Sequence, residues 1–457
     1  MWIHETITME ISRSIDGVRK EAWTSAAKGW KRRELYSELR TVYETTAADP
    51  HTIRLTFKLK DMIDGRLLRE AVDKTMARYP YFQVRLIADG KDDLFFEYNP
   101  APVPVLNTDE RTILGSEQTS GHLLSVSYWH NRLHIDFYHG LTDGGGIGPF
   151  LKTLLYYYCS FYYGADFSRE GIRLSGESVP QAEWDDPARL PLGTRHHGLI
   201  HKWDRPALQL LDAGIAHPVP DSVVYNMRIP EKDFMRFNFS NDGSPAAIVA
   251  LLLARAIDAL HPNTKEPPVI AMCVNQRRDL GAPLAHQSLV GDVRLPYTGR
   301  LKALPFTLQA TCFRGMVTLQ SDKEMVLDEI RDYQALMAHL EGLDGHRARQ
   351  DCCVHRMESL SRCITATVSY VGKSSLGDAE FYIHDHNALP STALPSTHVP
   401  LTIELSAING YFFLNFMQFF HEDDYFSAFV SQLRENNIDY DVLDLMDANY
   451  PRVELPF

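Results

Sequence analysis

The residues best suited to chemistry are a histidine, an aspartate four positions later and the glycines that follow it. They are His139, Asp143 and the run Gly144-Gly-Gly146. Glycine adopts backbone conformations closed to other residues, so we expect a turn at this run. The segment before it predicts a strand whose alternating side chains share one face and end in the imidazole: Leu133, Ile135, Phe137 and His139.

A helix is expected beyond the glycines, because apolar residues recur there at helical spacing, namely Ile147, Phe150, Leu151, Leu154, Tyr158 and Phe161. A neutral imidazole at the end of a strand is suited to accept a proton near neutral pH. Such a histidine is more often structural than catalytic. The position, the following glycines and a second motif downstream, Asn275-Gln-Arg277, favour the functional interpretation.

Two histidine pairs resemble metal ligands but lack the residues that would complete a site. No third ligand stands at a recognisable spacing from His196-His197, and no acid or cysteine is placed to join His384-Asp-His386. The sequence therefore predicts no metal centre. It also contains neither Gly-x-Ser-x-Gly nor a Gly-Lys-Ser/Thr phosphate loop, which disfavours a serine hydrolase and a nucleotide triphosphatase.

The composition is that of a soluble globular protein, with 44% hydrophobic and 23% charged residues. A length of 457 residues predicts two domains or lobes. The net charge of −13 argues against nucleic acid as a partner, because phosphate binding needs clustered basic residues. Six irregularly spaced cysteines, no secretory-type leader and no apolar run of membrane-spanning length predict a protein of the reducing cytoplasm.

Predicted strands and helices alternate in both halves of the chain, which indicates α/β or α+β layers in each lobe. An N-terminal segment with Trp23, Trp30 and the basic cluster Lys31-Arg-Arg33 precedes them. We expect a first lobe at 1–173, a crossover linker at 174–222 and a second lobe at 223–457. Within the second lobe we predict a helix capped by Ser244-Pro245, strand-like stretches near Leu304–Thr311 and Gly315–Leu319, and a helix from Asp322 to Leu343.

Three motifs together resemble the HxxxD acyltransferases, the superfamily of chloramphenicol acetyltransferase, peptide-synthetase condensation domains and alcohol acetyltransferases. They are His139-Gly-Leu-Thr-Asp143-Gly144, Asn275-Gln-Arg277 and Ser369-Tyr-Val-Gly372. The order of elements is similar along nearly the whole chain, and the alcohol acetyltransferase-like branch is the most similar. Tyr138 stands where condensation domains commonly carry a further histidine, and Tyr370 stands where asparagine is usual.

The resemblance implies an α/β fold of two chloramphenicol acetyltransferase-like lobes, each a two-layer α+β sandwich, which form a V with a central channel. It implies that His139 is the general base and that Asp143 forms a structural ion pair with Arg277, with Arg278 as the alternative partner. The oxyanion of the attack needs preorganised donors. Candidates are the N–H groups of Gly144 and Gly145, followed by Ser369 and Asn275.

We therefore expect an enzyme that moves an acyl group, first of all acetyl, from acyl-CoA to the hydroxyl of a small-molecule alcohol. Acyl-CoA would be a co-substrate, with no permanently bound cofactor, no metal and a monomeric chain. Two alternatives remain open: a condensation-type enzyme with a carrier-protein thioester or an amine acceptor, and a non-catalytic binding module. A basic patch of Arg294, Arg300 and Lys302 would suit CoA phosphates or an acyl carrier protein equally.

Overall fold

The computed structural model describes residues 32–47, 49–89, 93–193, 200–216, 218–373, 375–390, 399–447 and 450–457. The predicted N-terminal segment with Trp23, Trp30 and Lys31 lies outside the described residues, as does the pair His196-His197.

Helices cover the outer faces of the sheets. In chain order they are α1 (Leu39–Glu44), α2 (Gly65–Met76), α3 (Gly144–Tyr163), α4 (Glu231–Ser240), α5 (Pro245–Leu260), α6 (Gly299–Lys302), α7 (Phe306–Gln320), α8 (Lys323–Glu341), α9 (Gly345–Ser361) and α10 (Asp424–Glu435).

Short and long strands alternate with these helices. They are β1 (Arg32–Glu34), β2 (Thr52–Leu59), β3 (Val84–Ala88), β4 (Leu94–Tyr98), β5 (Val105–Asn107), β6 (Ile113–Leu114), β7 (Leu124–Trp129), β8 (Arg132–Tyr138), β9 (Pro218–Pro230), β10 (Val269–Asn275), β11 (Val290–Pro296), β12 (Ala366–Lys373), β13 (Ile383–Pro390), β14 (Leu401–Ile408), β15 (Tyr411–Phe420), β16 (Asp441–Asp447) and β17 (Arg452–Val453).

The first lobe is a mixed sheet of order β13-β2-β8-β7-β5 with α2 and α3 packed together beside it. Helix α2 begins at Asp64, whose carboxylate accepts hydrogen bonds from the N–H groups of Arg66 and Leu67 at 2.8 and 3.1 Å. The same helix buries its apolar face in the core of this lobe through Leu68, Ala71, Val72 and Met76.

The second lobe is a seven-stranded sheet of order β11-β10-β12-β14-β15-β9-β16. Its central helix, α5, is apolar almost all round and is buried along most of its length, as such a helix must be. Ser244 precedes α5 and Pro245 opens it, although the Ser244 side chain makes no capping hydrogen bond. The predicted two-lobed α/β architecture is confirmed.

Part of the second half of the chain returns to the first lobe. Strand β13 pairs antiparallel with β2, so that His386 lies opposite Phe57 in the first-lobe sheet. Strand β17 pairs in parallel with β6, and α9 packs on α1. The predicted boundaries at 173 and 222 stay a prediction, but the two lobes exchange elements beyond them.

One secondary-structure prediction was wrong. The stretches Leu304–Thr311 and Gly315–Leu319, expected as strands, belong mostly to helix α7. Its buried residues, Gln309, Ala310, Phe313 and Gln320, recur at helical spacing and face α5 and β11. Burial of this face stabilises a helix, although the β-branched residues in the segment favour a strand. The predicted helix from Asp322 to Leu343 is found as α8.

Among the described helices, no single one is long and apolar enough to cross a membrane. Helices α4 and α5, bent by 78° at the break between them, meet that test of length and composition only as a pair.

Candidate active site

A cavity of about 130 Å³ lies between the two lobes, and the predicted histidine lines it. Its first-lobe wall combines the apolar side chains of Ile53, Leu55, Phe137 and Ala388 with His139, Asp143 and the first glycines of α3. Its second-lobe wall is largely polar and includes Cys273, Asn275, Thr367, Ser369, Thr402 and Glu404. The cavity therefore offers an apolar surface and a hydrogen-bonding surface to the same ligand.

His139 follows directly after β8 and is anchored by its main chain. Its N–H donates to the carbonyl of His51 at 2.8 Å. Burial lowers the pKa of His139 below its usual value, while a hydrogen bond of the ring with its own backbone carbonyl opposes that shift. Only Nδ1 can reach that carbonyl, so the neutral ring keeps its proton there and Nε2 is the nitrogen able to accept one.

Asp143 does not orient the imidazole; it holds the turn. Its carboxylate accepts hydrogen bonds from the N–H of Gly146 at 2.7 Å and the N–H of Leu289 at 2.8 Å. Arg277 donates to both carboxylate oxygens, at 2.6 Å to Oδ1 and 3.0 Å to Oδ2. Within the described residues, no hydrogen bond joins Asp143 to His139.

Arg277 is nearly buried, and its remaining donors are also satisfied. Nε donates to the carbonyl of Ala285 at 2.9 Å and Nη2 to that of Gln287 at 2.6 Å. The guanidinium thus binds both the second-lobe loop around Gln287 and the first-lobe turn at Asp143, and holds the two together. Arg278, the alternative partner, is exposed.

The three glycines form the first turn of α3, and none of them has a positive φ. Our expectation of an unusual backbone conformation was therefore wrong, and close packing explains them instead. A Cβ on Gly146 would lie 2.1 Å from the carbonyl oxygen of His286 and 2.3 Å from Oγ1 of Thr142. A Cβ on Gly145 would lie 2.7 Å from Nη1 of Arg277.

Three of the candidate oxyanion donors converge on one side of the cavity. Gly144 and Gly145 occupy the first positions of α3, where backbone N–H groups have no partner within the helix. Oδ1 of Asn275 accepts from the N–H and Nη1 of Arg277, at 3.0 and 3.3 Å, so its Nδ2 is turned the other way. That nitrogen lies 3.2 Å from the Cβ position of Gly145.

Ser369, the remaining candidate, lies on β12 and lines the second-lobe wall of the cavity. It is hydrogen-bonded with Glu404 and with the thiol of Cys273. Burial raises the pKa of Glu404 to about 7 and that of Cys273 to about 12, so the thiol is protonated at neutral pH.

The sequence did not single out Glu404, which belongs to a polar row across the second-lobe sheet. Strand pairing places one member on each strand, on the face toward the first lobe. In sheet order the row is Asp292, Cys273, Ser369, Glu404, Asn415, Asn226 and Asp444. An acid between Ile403 and Leu405, in a segment predicted to be a strand, was the available signal.

Glu183, in the linker, was also missed, and it fastens three parts of the site together. Arg78 donates two hydrogen bonds to its carboxylate at 2.7 and 2.9 Å, and the hydroxyl of Tyr81 donates a third at 3.0 Å. Its carbonyl accepts the main-chain N–H of His286 at 3.0 Å. The linker therefore ties the first lobe to the loop that carries Arg277.

The predicted basic patch is not formed. Arg294 is buried, where it donates to Asp292 at 3.1 Å and to the carbonyl of Trp203 at 2.6 Å. Lys302 is paired with Asp258. Both charges are thus neutralised within the second lobe, which leaves Arg300 as the exposed member of the three.

No group of three or more His, Cys, Asp and Glu side chains in the described ranges is arranged to hold a metal ion. His386 of the His384-Asp-His386 segment stacks on Phe57 with 4.5 Å between ring centroids, and Nδ1 lies 3.0 Å from the carbonyl of Thr56. Burial lowers the pKa of His386 to about 4. His386 is therefore a packed residue of β13, the strand that crosses over to pair with β2 in the first-lobe sheet.

By sequence, the chain matches no protein-family model and no curated protein. By structure, it is similar to polyketide synthase associated protein 5 from Mycobacterium tuberculosis, with 15% identity, a TM-score of 0.55, and 88% of this chain and 96% of that chain covered. It is also similar to F. sporotrichioides TRI101 complexed with coenzyme A and T-2, with 13% identity, a TM-score of 0.56, and 90% and 99% covered.

A further similar structure is the nonribosomal peptide synthetase FmoA3, with 12% identity and a TM-score of 0.58. That match covers 91% of this chain and 42% of the longer synthetase. The likeness extends over both lobes in each comparison. The chain therefore shares its two-lobed fold with these solved structures, a fold expected from the resemblance of its motifs to the condensation-domain and chloramphenicol acetyltransferase superfamily.

Proposed function

We propose that this protein is an acyltransferase that moves an acyl group, first of all acetyl, from acyl-CoA to the hydroxyl of a small-molecule alcohol. The observation that carries the proposal is the position of His139 in the interlobe cavity, beside the first turn of α3. A neighbour of the same fold was solved with coenzyme A and T-2, and this chain aligns with 99% of it.

In the proposed reaction, Nε2 of His139 accepts the hydroxyl proton of the acceptor as its oxygen attacks the thioester carbonyl. The new C–O bond forms while the carbonyl electrons move to oxygen. The N–H groups of Gly144 and Gly145, with Nδ2 of Asn275, lie on the side of the cavity where they can stabilise this oxyanion. Ser369, on β12, is the alternative donor.

Collapse of the intermediate breaks the C–S bond, and the imidazolium returns the proton to the departing sulfur. The products are an ester and a free thiol. Asp143 takes no part in proton transfer; it holds the turn and its N–H groups through Arg277. This direct transfer needs neither a covalent enzyme intermediate nor a metal.

The same geometry would serve a carrier-protein thioester or an amine acceptor, and peptide-synthetase domains are among the proteins of this fold. We favour acyl-CoA and an alcohol because the sequence most resembles the alcohol acetyltransferase-like branch. Since both walls of the cavity come from one chain, we propose a monomer. Six free cysteines support our proposal of a cytoplasmic protein.

The decisive experiment measures release of free thiol from acetyl-CoA and longer acyl-CoAs, with a panel of alcohols and amines. Wild type is compared with His139→Ala, and His355→Ala on the exposed face of α9 is the matched control. We expect acceptor-dependent release in wild type and in the control, and none above background in His139→Ala.

The donor is tested by replacing acyl-CoA with the same acyl group on a phosphopantetheinylated carrier protein. If the acylated carrier protein supports turnover and acyl-CoA does not, the proposed donor becomes the carrier-protein thioester. Faster release with amines than with alcohols would change the reaction to N-acylation. No turnover with either donor, in a protein whose circular dichroism and thermal unfolding are those of a folded chain, would leave the non-catalytic binding module.

A further inference from the structure

The polar row on the second-lobe sheet meets the interlobe cavity at its middle members, while its other members have partners elsewhere in the chain. At one end, Lys202 and Arg294 lie within 3.8 and 3.1 Å of the carboxylate of Asp292. Toward the other end, the crossover strand β13 lies over Asn415 and Asn226. The part that lines the cavity comprises Cys273, Ser369 and Glu404.

Asn415 has no donor left for Glu404, its neighbour in the row. Its Nδ2 donates to Oδ1 of Asn226 at 3.0 Å and to Oδ1 of Asn387 at 2.9 Å, while its Oδ1 accepts the N–H of Ala388 at 2.9 Å. The hydrogen bonds of the Asn415 amide are therefore made to Asn226 and to β13. The hydrogen-bond partner of Glu404 in the described chain is Ser369.

Glu404 also lacks the cationic partner that three buried acids of this protein have. Asp143 is paired with Arg277, Glu183 with Arg78, and Asp136 with Arg54. No Lys, Arg or His nitrogen of the described residues lies within 4 Å of the Glu404 carboxylate in an ion pair. Glu404 is half-buried on the cavity wall. A carboxylate partly withdrawn from water without a counter-ion is costly, and a cation from a ligand would reduce that cost.

We propose that Glu404, with the hydroxyl of Ser369, is a subsite for a protonated amino group of the acceptor, so that the preferred substrates are amino alcohols. The proposal rests on the proposed function for the identity of the reacting group, but not for the binding itself. The ammonium would sit on the polar wall at Glu404, and the acceptor chain would run along the apolar wall toward His139.

The electrostatics of the pocket agree with this subsite. The pKa of Glu404 near 7 means that the empty pocket carries the carboxyl partly protonated at neutral pH. A bound ammonium favours the carboxylate, and the proton leaves to solvent. The other ionisable side chains that line the same cavity are His139, Asp143, Cys273, Arg277 and Tyr370. Of these, the cationic Arg277 is already neutralised by Asp143.

The test is isothermal titration calorimetry without any acyl donor, at about pH 8, where the carboxyl is ionised and alkyl ammonium groups remain protonated. The probes are ethanolamine and its longer ω-amino homologues, each compared with the alkanol in which a methyl group replaces the ammonium. Wild type is expected to bind the best amino alcohol about ten- to a hundred-fold more tightly than its alkanol.

Glu404→Gln keeps the size of the side chain and removes its charge, and is expected to abolish that preference. Glu358→Gln, the same substitution at an exposed acid of α9 outside the cavity, is the matched control and is expected to keep the preference. Equal binding of amino alcohol and alkanol by wild type, no binding of any amino alcohol, or an unchanged preference in Glu404→Gln would each overturn the subsite.

Failure of the proposed function would be seen separately. A Glu404-dependent preference in binding, together with no thiol release from any acyl donor, would support the subsite and reject the acyltransferase. Thiol release with neutral alcohols, together with no preference in binding, would reject the subsite and leave the acyltransferase standing.

Discussion

The guanidinium of Arg277 joins the carboxylate of Asp143 by two hydrogen bonds, of 2.6 and 3.0 Å, between residues 134 positions apart in the chain. Both side chains are nearly buried. Because the aspartate also caps α3 and the arginine also binds the loop at 285–287, this ion pair joins the turn after His139 to the second lobe at the cavity.

Breaking this pair from one side should lower both stability and activity. In Asp143→Asn the buried guanidinium loses its counter-charge, and we expect a decrease of about 3–5 kcal/mol in the free energy of unfolding. Urea unfolding followed by circular dichroism measures it. Asp233→Asn, which removes an exposed ion pair with Arg236, is the control and should stay within about 0.5 kcal/mol of wild type. A similar small change in Asp143→Asn would contradict the prediction.

Two glycines of the same helix should respond to alanine in opposite directions. Gly146→Ala places Cβ against backbone at 2.1 Å, so we expect a loss of about 1–3 kcal/mol and of turnover. Gly148→Ala meets no atom within 4 Å and replaces glycine inside a helix, so we expect a gain of about 0.5–1 kcal/mol. Thermal unfolding of the two variants gives the comparison; the same sign for both would refute the packing explanation.

The acidic limb of the pH profile of kcat/KM should reflect the ionisation of His139. Burial lowers its pKa below the usual value of 6.5, so the neutral base persists to lower pH than in a free histidine. With a neutral alcohol as acceptor, we expect kcat/KM to rise with pH through an apparent pKa below 6.5 and then to level off. An apparent pKa well above 6.5 would show that another group, such as Glu404, governs this limb.

The local sequence pattern was informative about His139 and much less so about its surroundings. Alternation along β8 and helical spacing along α3 place the histidine between a strand and a helix, because both periods are local. The contact between Asp143 and Arg277 could be expected only through a resemblance, since spacing along the chain carries no such information. Glu404 and Glu183 acquire their neighbours from strand register and from the path of the linker, which no local pattern encodes. Helix α7 shows the same limit: its β-branched residues suggest strands, and packing on α5 decides otherwise.

A buried acid near His139, Asp49, should make stability depend on pH. Asp49 lies in the loop before β2, and neither of its carboxylate oxygens has a hydrogen-bond partner in the described structure. Burial raises its pKa from 3.8 to about 7. Nδ1 of His51 is 3.4 Å from Oδ1, but burial lowers the pKa of that histidine, so it is neutral and offers no counter-charge.

The sign follows from linkage. The folded state holds the Asp49 proton more tightly than the unfolded state, so its contribution to stability is full below about pH 4 and is lost as pH rises through about 7. Asp49→Asn cannot ionise and should escape that loss. We expect the variant to gain about 1–3 kcal/mol in free energy of unfolding relative to wild type at about pH 8 and much less at about pH 5.

Urea unfolding of both proteins at the two pH values measures this difference. Asp439→Asn, an exposed acid between α10 and β16, is the control and should change the free energy of unfolding by less than about 0.5 kcal/mol at either pH. A gain in Asp49→Asn that is equal at both pH values would mean that the amide stabilises the loop by its own hydrogen bonds. A loss at about pH 8 would mean that the carboxylate is ionised and well paired in the folded protein, contrary to its buried, unpartnered position.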